Sequence, residues 1–199
     1  MDSGANLVHA AGFVLAGGRS SRMGQEKALL TLGGEPLVKR GIRKLKEICA
    51  EVAIAGGTEE LARFGRVIPD KNPGRGPLGG IVSALEQSSF EWNLFLAVDA
   101  PFLPVSALKA LLVMASGSPS VCVMARVEGL MQPLCAVYSR RALGVLQEEL
   151  AAGRWKVTSA IEAAGPVKVM DFEDARWFAN LNTPEEFAEA ERHVDALDT

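Results

Sequence analysis

Short, nearly unbroken apolar runs alternate with stretches of helical periodicity along this chain, and that alternation narrows the possible folds more than any other feature. Strands buried on both faces read as continuous apolar runs, and parallel neighbours need a crossover helix between them. "GFVLAG" (12–17) reads as the first buried strand, "EVAIAG" (51–56) as a second and "GRVIPD" (65–70) as a third. "NLFLAVDAPFLP" (93–104) is the most apolar, and it runs into an acid, Asp99. Between the strands, "PLVKRGIRKLKEIC" (36–49) sets Leu37, Ile42, Leu45, Ile48 and Cys49 along one helical face with basic residues opposite. "PLGGIVSALEQ" (77–87) opens a further helix directly after a glycine. A helix around 105–115, strands near 120–124 and 132–138, and a helix at 139–151 follow. The closing helix (182–194) has Thr183 as N-cap, Pro184 in the first turn and Glu185 and Glu186 near the positive dipole end. The expected fold class is α/β, a three-layer α/β/α arrangement on a mostly parallel, Rossmann-like central sheet. With no internal repeat or linker, residues 11–199 read as one domain, preceded by a loose arm at 1–10.

Composition removes several function classes. The chain has 199 residues, 48% of them hydrophobic and 23% charged, which is ordinary for a globular protein with a substantial core. A net charge of −3 supplies no general attraction to nucleic acid or an anionic membrane, so any basic ligand-binding group has to be local. Cys49, Cys122 and Cys135 are far apart and form no zinc-type spacing, which reads as reduced, buried thiols. No apolar run approaches the ~18 residues of a membrane span, and the start lacks a signal-like basic region, so the expected location is cytoplasmic. His9 and His193 match no catalytic constellation, and there is no G-x-S-x-G elbow or Cys–His pair for acyl transfer.

The stretch "LAGGRSSRMGQEKALL" (15–30) follows the first strand and therefore sits at the carboxyl edge of the expected sheet, where open α/β folds bind ligands. Gly17 and Gly18 allow backbone N–H groups to approach an anion, and Arg19, Arg22 and Lys27 add local positive charge. Neither common phosphate fingerprint fits. Five residues separate Gly18 from Gly24 and Lys27 is displaced, which excludes a P-loop, and the dinucleotide pattern G-x-G-x-x-G is absent. A dehydrogenase reading fails on the same spacing. The residues alone leave an anion-binding loop and a tight basic surface turn both open. Asp99, at the end of an apolar strand, is either a hard oxygen ligand for Mg²⁺ or an acid that ends the strand and caps the next helix.

The loop resembles the signature of sugar-nucleotide-type nucleotidyltransferases, L-A-[GA]-G-x-[SG]-x-R-M-G-x-x-K, and its double glycine is more similar to the molybdenum cofactor guanylyltransferases than to their cytidylyl relatives. The likeness continues in order through "DKNPGRGPLGGI", "LAVDAPFLP", "QPLCAVY" and "NLNTPEEF", from about residue 12 to 192. It implies a nucleotidyltransferase fold and transfer of GMP from GTP to the phosphate of molybdenum-loaded molybdopterin, releasing pyrophosphate. It assigns catalysis to Arg22, Lys27 and Asp99, with Asp99 as the Mg²⁺ ligand. Nucleotide binding falls to Leu15, Ala16, Gly17, Gly18, Lys27, Asp70, Gly76, Gly79 and Asp99, and acceptor binding to Gln132, Asn180 and Asn182. Asp70 also reads as a turn-capping acid, and Asn182 or Thr183 as the cap of the last helix. Arg154 and Lys156 are either acceptor-phosphate contacts or a solvated basic face. Three positions depart from the family pattern: Glu26 stands where Asp is usual, Val98 where Cys is usual, and Ala55 where Asn is usual. The resemblance extends the expected partners to other cofactor-biosynthesis proteins and apo-molybdoenzymes. The alternatives are a cytidylyltransferase on molybdopterin or another phosphorylated acceptor, and a nucleotide-binding regulator without catalysis.

Overall fold

A computed structural model describes residues 8–17 and 26–197. Its elements are β1 (Val8–Leu15), β2 (Thr31–Leu32), β3 (Glu35–Pro36), α1 (Leu37–Lys46), β4 (Cys49–Ala55), β5 (Val67–Ile68) and α2 (Pro77–Gln87). There follow β6 (Trp92–Ala97), α3 (Val105–Ala115), β7 (Cys122–Val127), β8 (Leu130–Ser139), α4 (Leu143–Ala151), α5 (Val157–Ala164), β9 (Val167–Phe172) and α6 (Pro184–Leu197). Seven strands form one sheet in the order β5-β4-β1-β6-β8-β7-β9, and β2 and β3 make a separate ribbon. Within the large sheet only β8 runs antiparallel to its neighbours, so the expected mostly parallel α/β class holds.

Two cores flank the sheet. Alternate strand residues such as Val14, Ile54, Leu94 and Val123 pack beneath α1, α3 and α6. Phe13, Ala53, Phe95 and Tyr138 pack on the opposite side beneath α2, α4 and α5. The central strands are apolar on both faces because helices cover both faces. Glycines let α1 lie close on β1: a Cβ at Gly41 would stand 3.0 Å from Val14 Cγ2, and one at Gly12 3.0 Å from Cys49 Sγ. Among the described residues no helix is long and apolar enough to cross a membrane.

Several boundaries differ from the sequence reading. Val8–Ala10 belong to β1 rather than to a terminal arm, because their backbone pairs with neighbouring strands. Cys49 opens β4 instead of closing α1, which stops at Lys46. The basic side of α1, opposite its apolar face, is partly buried: Arg40 and Lys44 are only 3% and 4% exposed. Lys44 Nζ donates to the carbonyls of Pro101 (2.6 Å) and Leu103 (3.1 Å), and Arg40 Nη2 to that of Leu32 (3.0 Å), so main-chain oxygens receive these cations. Helix α5 and the edge strand β9 lie outside the elements that the sequence pattern marks. Their short apolar positions carry a weaker periodic signal than the central strands do.

Candidate active site

From β1 the chain crosses through α1 to β4 on one side, and from β5 it returns through α2 to β6 on the other side. Neighbouring β1 and β6 therefore flank the switch point of the sheet, where a crevice opens beyond the strand carboxyl ends. The backbone knits this edge together. Val98 N donates to Leu15 O (3.1 Å), Ala16 N to Ala55 O (3.0 Å) and Gly56 N to Ile68 O (2.9 Å). Strand topology thus brings the start of the glycine loop and Asp99 side by side.

Lys27 completes the cluster. It begins a 3₁₀ turn, Lys27–Leu29, and its Nζ donates to Asp99 Oδ2 at 2.9 Å and to Asn182 Oδ1 at 2.7 Å. Residues separated by 72 and 155 positions in sequence therefore meet at one ammonium. The side chains of Lys27 and Asp99 are 15% and 26% exposed, enough shielding to strengthen the pair while leaving it open to a ligand. Further contacts hold the backbone that carries the carboxylate. Leu181 N donates to Asp99 O (3.0 Å), and the Lys44 ammonium ties down the turn after Asp99 through Pro101 O and Leu103 O.

Asn182 is set by the start of α6. Glu186 Oε2 accepts from Asn182 N (2.5 Å) and Thr183 N (2.9 Å), and Glu186 N donates to Thr183 Oγ1 (3.1 Å). This is a capping box, and the Thr-x-x-Glu spacing of Thr183 and Glu186 was a legible signal for it. Thr183 is the cap, so Asn182 keeps its amide oxygen for Lys27. Asn180 is exposed and stands outside that contact.

On the opposite core, the 69–76 loop lies over the start of α2. Asp70 Oδ1 accepts from Asn72 N at 2.8 Å, which closes a tight turn. Its carboxylate rests on Gly79, where an added Cβ would meet Asp70 Oδ1 at 2.7 Å and Asn72 O at 2.9 Å. Gly76 caps α2 with φ 67, a conformation that L side chains rarely adopt. The turn-capping role of Asp70 is therefore present in the structure. Lys71 Nζ and Gln147 Nε2 both reach Glu86, at 2.6 and 2.8 Å, and the lysine bond first and the glutamine bond second hold that carboxyl below its usual range.

Among the other expected site residues, Leu15 and Ala16 are buried at the end of β1 while Gly17 is exposed. Gly18 and Arg22, like Arg19, lie outside the described residues. Gln132 is half-buried on β8, beyond the last β6–β8 pair, Leu96 with Cys135, and so beside the carboxyl end of β6. Arg154 is held in a two-point ion pair by Glu149 (2.6 and 2.5 Å), while Lys156 is exposed at the start of α5. Val98 and Ala55, two of the positions that depart from the family pattern, are both buried. Cys135 is no nucleophile. Burial, with the charge of Asp99 adding to it, pushes its thiol up to about 12 against a weaker opposing bond from the Ala97 backbone. Sequence reasoning missed Lys44, the Leu181 amide and the Gly56-Gly57-Thr58 turn, although the double glycine after β4 repeats the one after β1.

The Lys27 contacts test whether the site suits Mg²⁺. Asp99 Oδ2 and Asn182 Oδ1 already converge on one cation, and both are hard oxygens of the kind Mg²⁺ accepts alongside water and phosphate. Among the described residues no group of three or more His, Cys, Asp or Glu side chains could enclose a metal. The donor set thus fits an ion shared with a polyphosphate better than a dedicated protein cage.

Comparison with known proteins adds independent findings. The family model described as "MobA-like NTP transferase domain" matches residues 12–165. The chain is 39% identical over 194 residues to a probable molybdenum cofactor guanylyltransferase of Pelotomaculum thermopropionicum, with 92% of this chain and 93% of that protein covered. It is 33% identical over 204 residues to the molybdenum cofactor guanylyltransferase of Rhizobium johnstonii, covering 95% of each. In fold it is similar to molybdopterin-guanine dinucleotide biosynthesis protein A of Archaeoglobus fulgidus, with TM-score 0.80, 23% identity and coverage of 94% and 99%. The fold is also similar to that of 2-C-methyl-D-erythritol 4-phosphate cytidylyltransferase of Thermus thermophilus, with TM-score 0.70, 16% identity and coverage of 95% and 99%.

Proposed function

The chain belongs to the MobA-like NTP transferase family, and from that premise we propose that it is a molybdenum cofactor guanylyltransferase. It transfers GMP from GTP to the terminal phosphate of molybdenum-loaded molybdopterin, giving the guanine dinucleotide cofactor and pyrophosphate. The observation that carries this reading is the convergence of Lys27, Asp99 and Asn182 at the switch point of the sheet.

GTP lies along the carboxyl edge, with its base and ribose against Leu15–Gly17, Asp70 and the Gly76–Gly79 turn. Lys27 turns its ammonium toward the phosphates and offsets the charge that builds on the α-phosphoryl group and the departing pyrophosphate. Asp99 and Asn182 would hold Mg²⁺, which when bound neutralises phosphate oxygens. The acceptor phosphate is already ionised at neutral pH, so this reading needs no dedicated general base, and orientation supplies much of the rate. Gln132, Asn180 and Asn182 line the acceptor side in this proposal. A cytoplasmic site of action belongs to it as well, supported by three buried cysteines that are free of disulfides.

The test is pyrophosphate release with each of the four NTPs, Mg²⁺ and molybdenum-loaded molybdopterin. Release with GTP alone is the expected result. Release with CTP instead assigns the cytidylyl alternative, and GTP binding without release assigns the regulator.

A further inference from the structure

We propose that Glu26 and Thr58 form a latch that positions Lys27, a role that rests on the guanylyl-transfer reading of the same site. Glu26 directly precedes Lys27, and its half-buried carboxylate reaches the turn after β4. Its Oε1 accepts from Thr58 N at 3.1 Å, and its Oε2 accepts from the Thr58 hydroxyl. Thr58 stands at the N-cap of the 3₁₀ turn Glu59–Arg63, yet its hydroxyl makes no capping bond there. That hydroxyl is committed to Glu26 instead.

The turn is shaped to receive the carboxylate. Gly57 has φ 79, and a Cβ there would stand 3.0 Å from Glu26 Oε1 and 2.5 Å from Leu61 Cδ1. A Cβ at Gly56, φ 78, would stand 3.0 Å from both Gly17 Cα and Gly17 N. One turn, residues 56–58, thus touches Gly17 and Glu26 at once, the described residues that border the glycine-rich stretch on either side. Beyond Glu26 the backbone is fixed further, since Leu29 N donates to Glu26 O (2.9 Å) and Leu30 N to Lys27 O (3.1 Å). Lys27 projects from this short, held segment toward Asp99 and Asn182.

Beyond what this pair adds to stability, it fixes the segment next to it and so places its neighbour, Lys27. Both carboxylate oxygens are engaged by one residue, which sets orientation as well as distance. An aspartate, one methylene shorter, keeps the charge but cannot reach both Thr58 groups without moving the backbone that carries Lys27. The family's usual aspartate at this position is therefore not interchangeable with Glu26 in this chain. The glutamate and Thr58 work as a matched pair.

The experiment uses the full chain with GTP, Mg²⁺ and molybdenum-loaded molybdopterin. Glu26→Gln, Glu26→Asp and Thr58→Val each lower kcat roughly tenfold to a hundredfold, the scale of a misplaced catalytic group. KM for GTP stays within about threefold, because the loss falls on the transition state. Glu26→Gln combined with Thr58→Val is no worse than either alone, as expected when both act through one contact. Thr58→Ser keeps the hydroxyl and recovers most of the turnover that Thr58→Val loses. Hydrogen exchange at the Thr58, Leu29 and Leu30 amides speeds up in Glu26→Gln. Unchanged kcat in the Glu26 variants, or additive losses in the double variant, overturns the latch. If the wild type releases no pyrophosphate, the functional reading fails separately, and the latch is then judged by exchange. Unchanged protection at those amides in Glu26→Gln overturns it, and faster exchange upholds the placement of the Lys27 turn.

Discussion

A methyl group added at Gly79 should weaken nucleotide binding and stability, whereas the same methyl at the adjacent Gly80 should stabilise the protein. Both glycines lie in the first turns of α2 and both are buried, so propensity and exposure do not distinguish them. Their surroundings do. The Cβ of Gly79→Ala would meet Asp70 Oδ1 at 2.7 Å, Asn72 O at 2.9 Å and Asp70 Oδ2 at 3.0 Å, whereas at Gly80 the nearest atom is Leu15 Cδ2 at 3.8 Å. To relieve the clash Asp70 must swing off α2 and give up its bond from Asn72 N, and the Asn72 backbone carbonyl must shift as well. A hydrogen bond to a charged group is worth about 1.5–3 kcal/mol, against about 1 kcal/mol gained by replacing a helical glycine with alanine. Gly79→Ala is thus expected to lose about 0.5–2 kcal/mol net, and Gly80→Ala to gain up to about 1 kcal/mol. For a domain of this size 1 kcal/mol corresponds to about 2–4 °C in melting temperature. Displaced Asp70 also leaves the proposed nucleoside contact, which should raise the Kd for GTP by roughly tenfold. Thermal unfolding of both variants with and without GTP and Mg²⁺ reads all of this in one experiment. Equal melting temperatures and equal GTP-induced shifts for the two variants would refute the reasoning, because the Asp70–Gly79 contact would then have no consequence.

The remaining predictions address the cation cluster, the α6 cap and the thiols. Lys27→Met should lower kcat by roughly 10²–10³, the cost of removing one group that stabilises developing charge, with a smaller change in GTP affinity. Asp99→Ala should abolish pyrophosphate release while far-ultraviolet circular dichroism stays that of wild type, since a half-buried acid at the sheet edge is not core. Thr183→Ala should cost about 1 kcal/mol in denaturant unfolding through loss of the cap. It should also lower turnover, because Glu186 holds the backbone of Asn182 in the same box. Burial raises the thiols of Cys49 and Cys135 from 9.0 to about 12, and Cys122 higher still. A disulfide reagent at pH 8 should therefore label none of the three until the chain is unfolded. The sign of the linkage follows: below pH 9 folded and unfolded thiols are both protonated, and this contribution to stability is intact. Above it the unfolded thiols ionise first, so stability measured by denaturant should fall as pH rises from 9 toward 12. A flat profile across that window would show that the thiols are not buried as described.

Much of the fold and part of the site could be read from the chain alone. The apolar runs that became β1, β4 and β6 are legible because strands covered on both faces leave no room for polar residues. Helices α2 and α3 fall on their expected spans because a proline or glycine marks each start. The glycine loop and Asp99 stood out as chemistry because charge at the end of an apolar strand needs a reason. The sequence also carried the Thr183–Glu186 spacing, a local signal that needs no partner elsewhere in the chain.

Tertiary structure alone decided which distant groups meet. Lys27, Asp99 and Asn182 come together because β1 and β6 are neighbours at the switch point and the segment after β9 returns across the sheet edge to pair Leu181 with Asp99. Strand order is a property of the whole sheet, and no local pattern encodes it. Helical periodicity sets Lys44 and Arg40 opposite the apolar face because it reports amphipathicity, while the carbonyls that receive them come from other turns of the chain. Glu26 stands in the sequence only as a departure from the family's usual Asp, because its partner, Thr58, lies 32 residues away on a turn whose glycines make room for it. Local sequence sets which elements form and which residues carry charge. The packing of those elements determines where each charge is held.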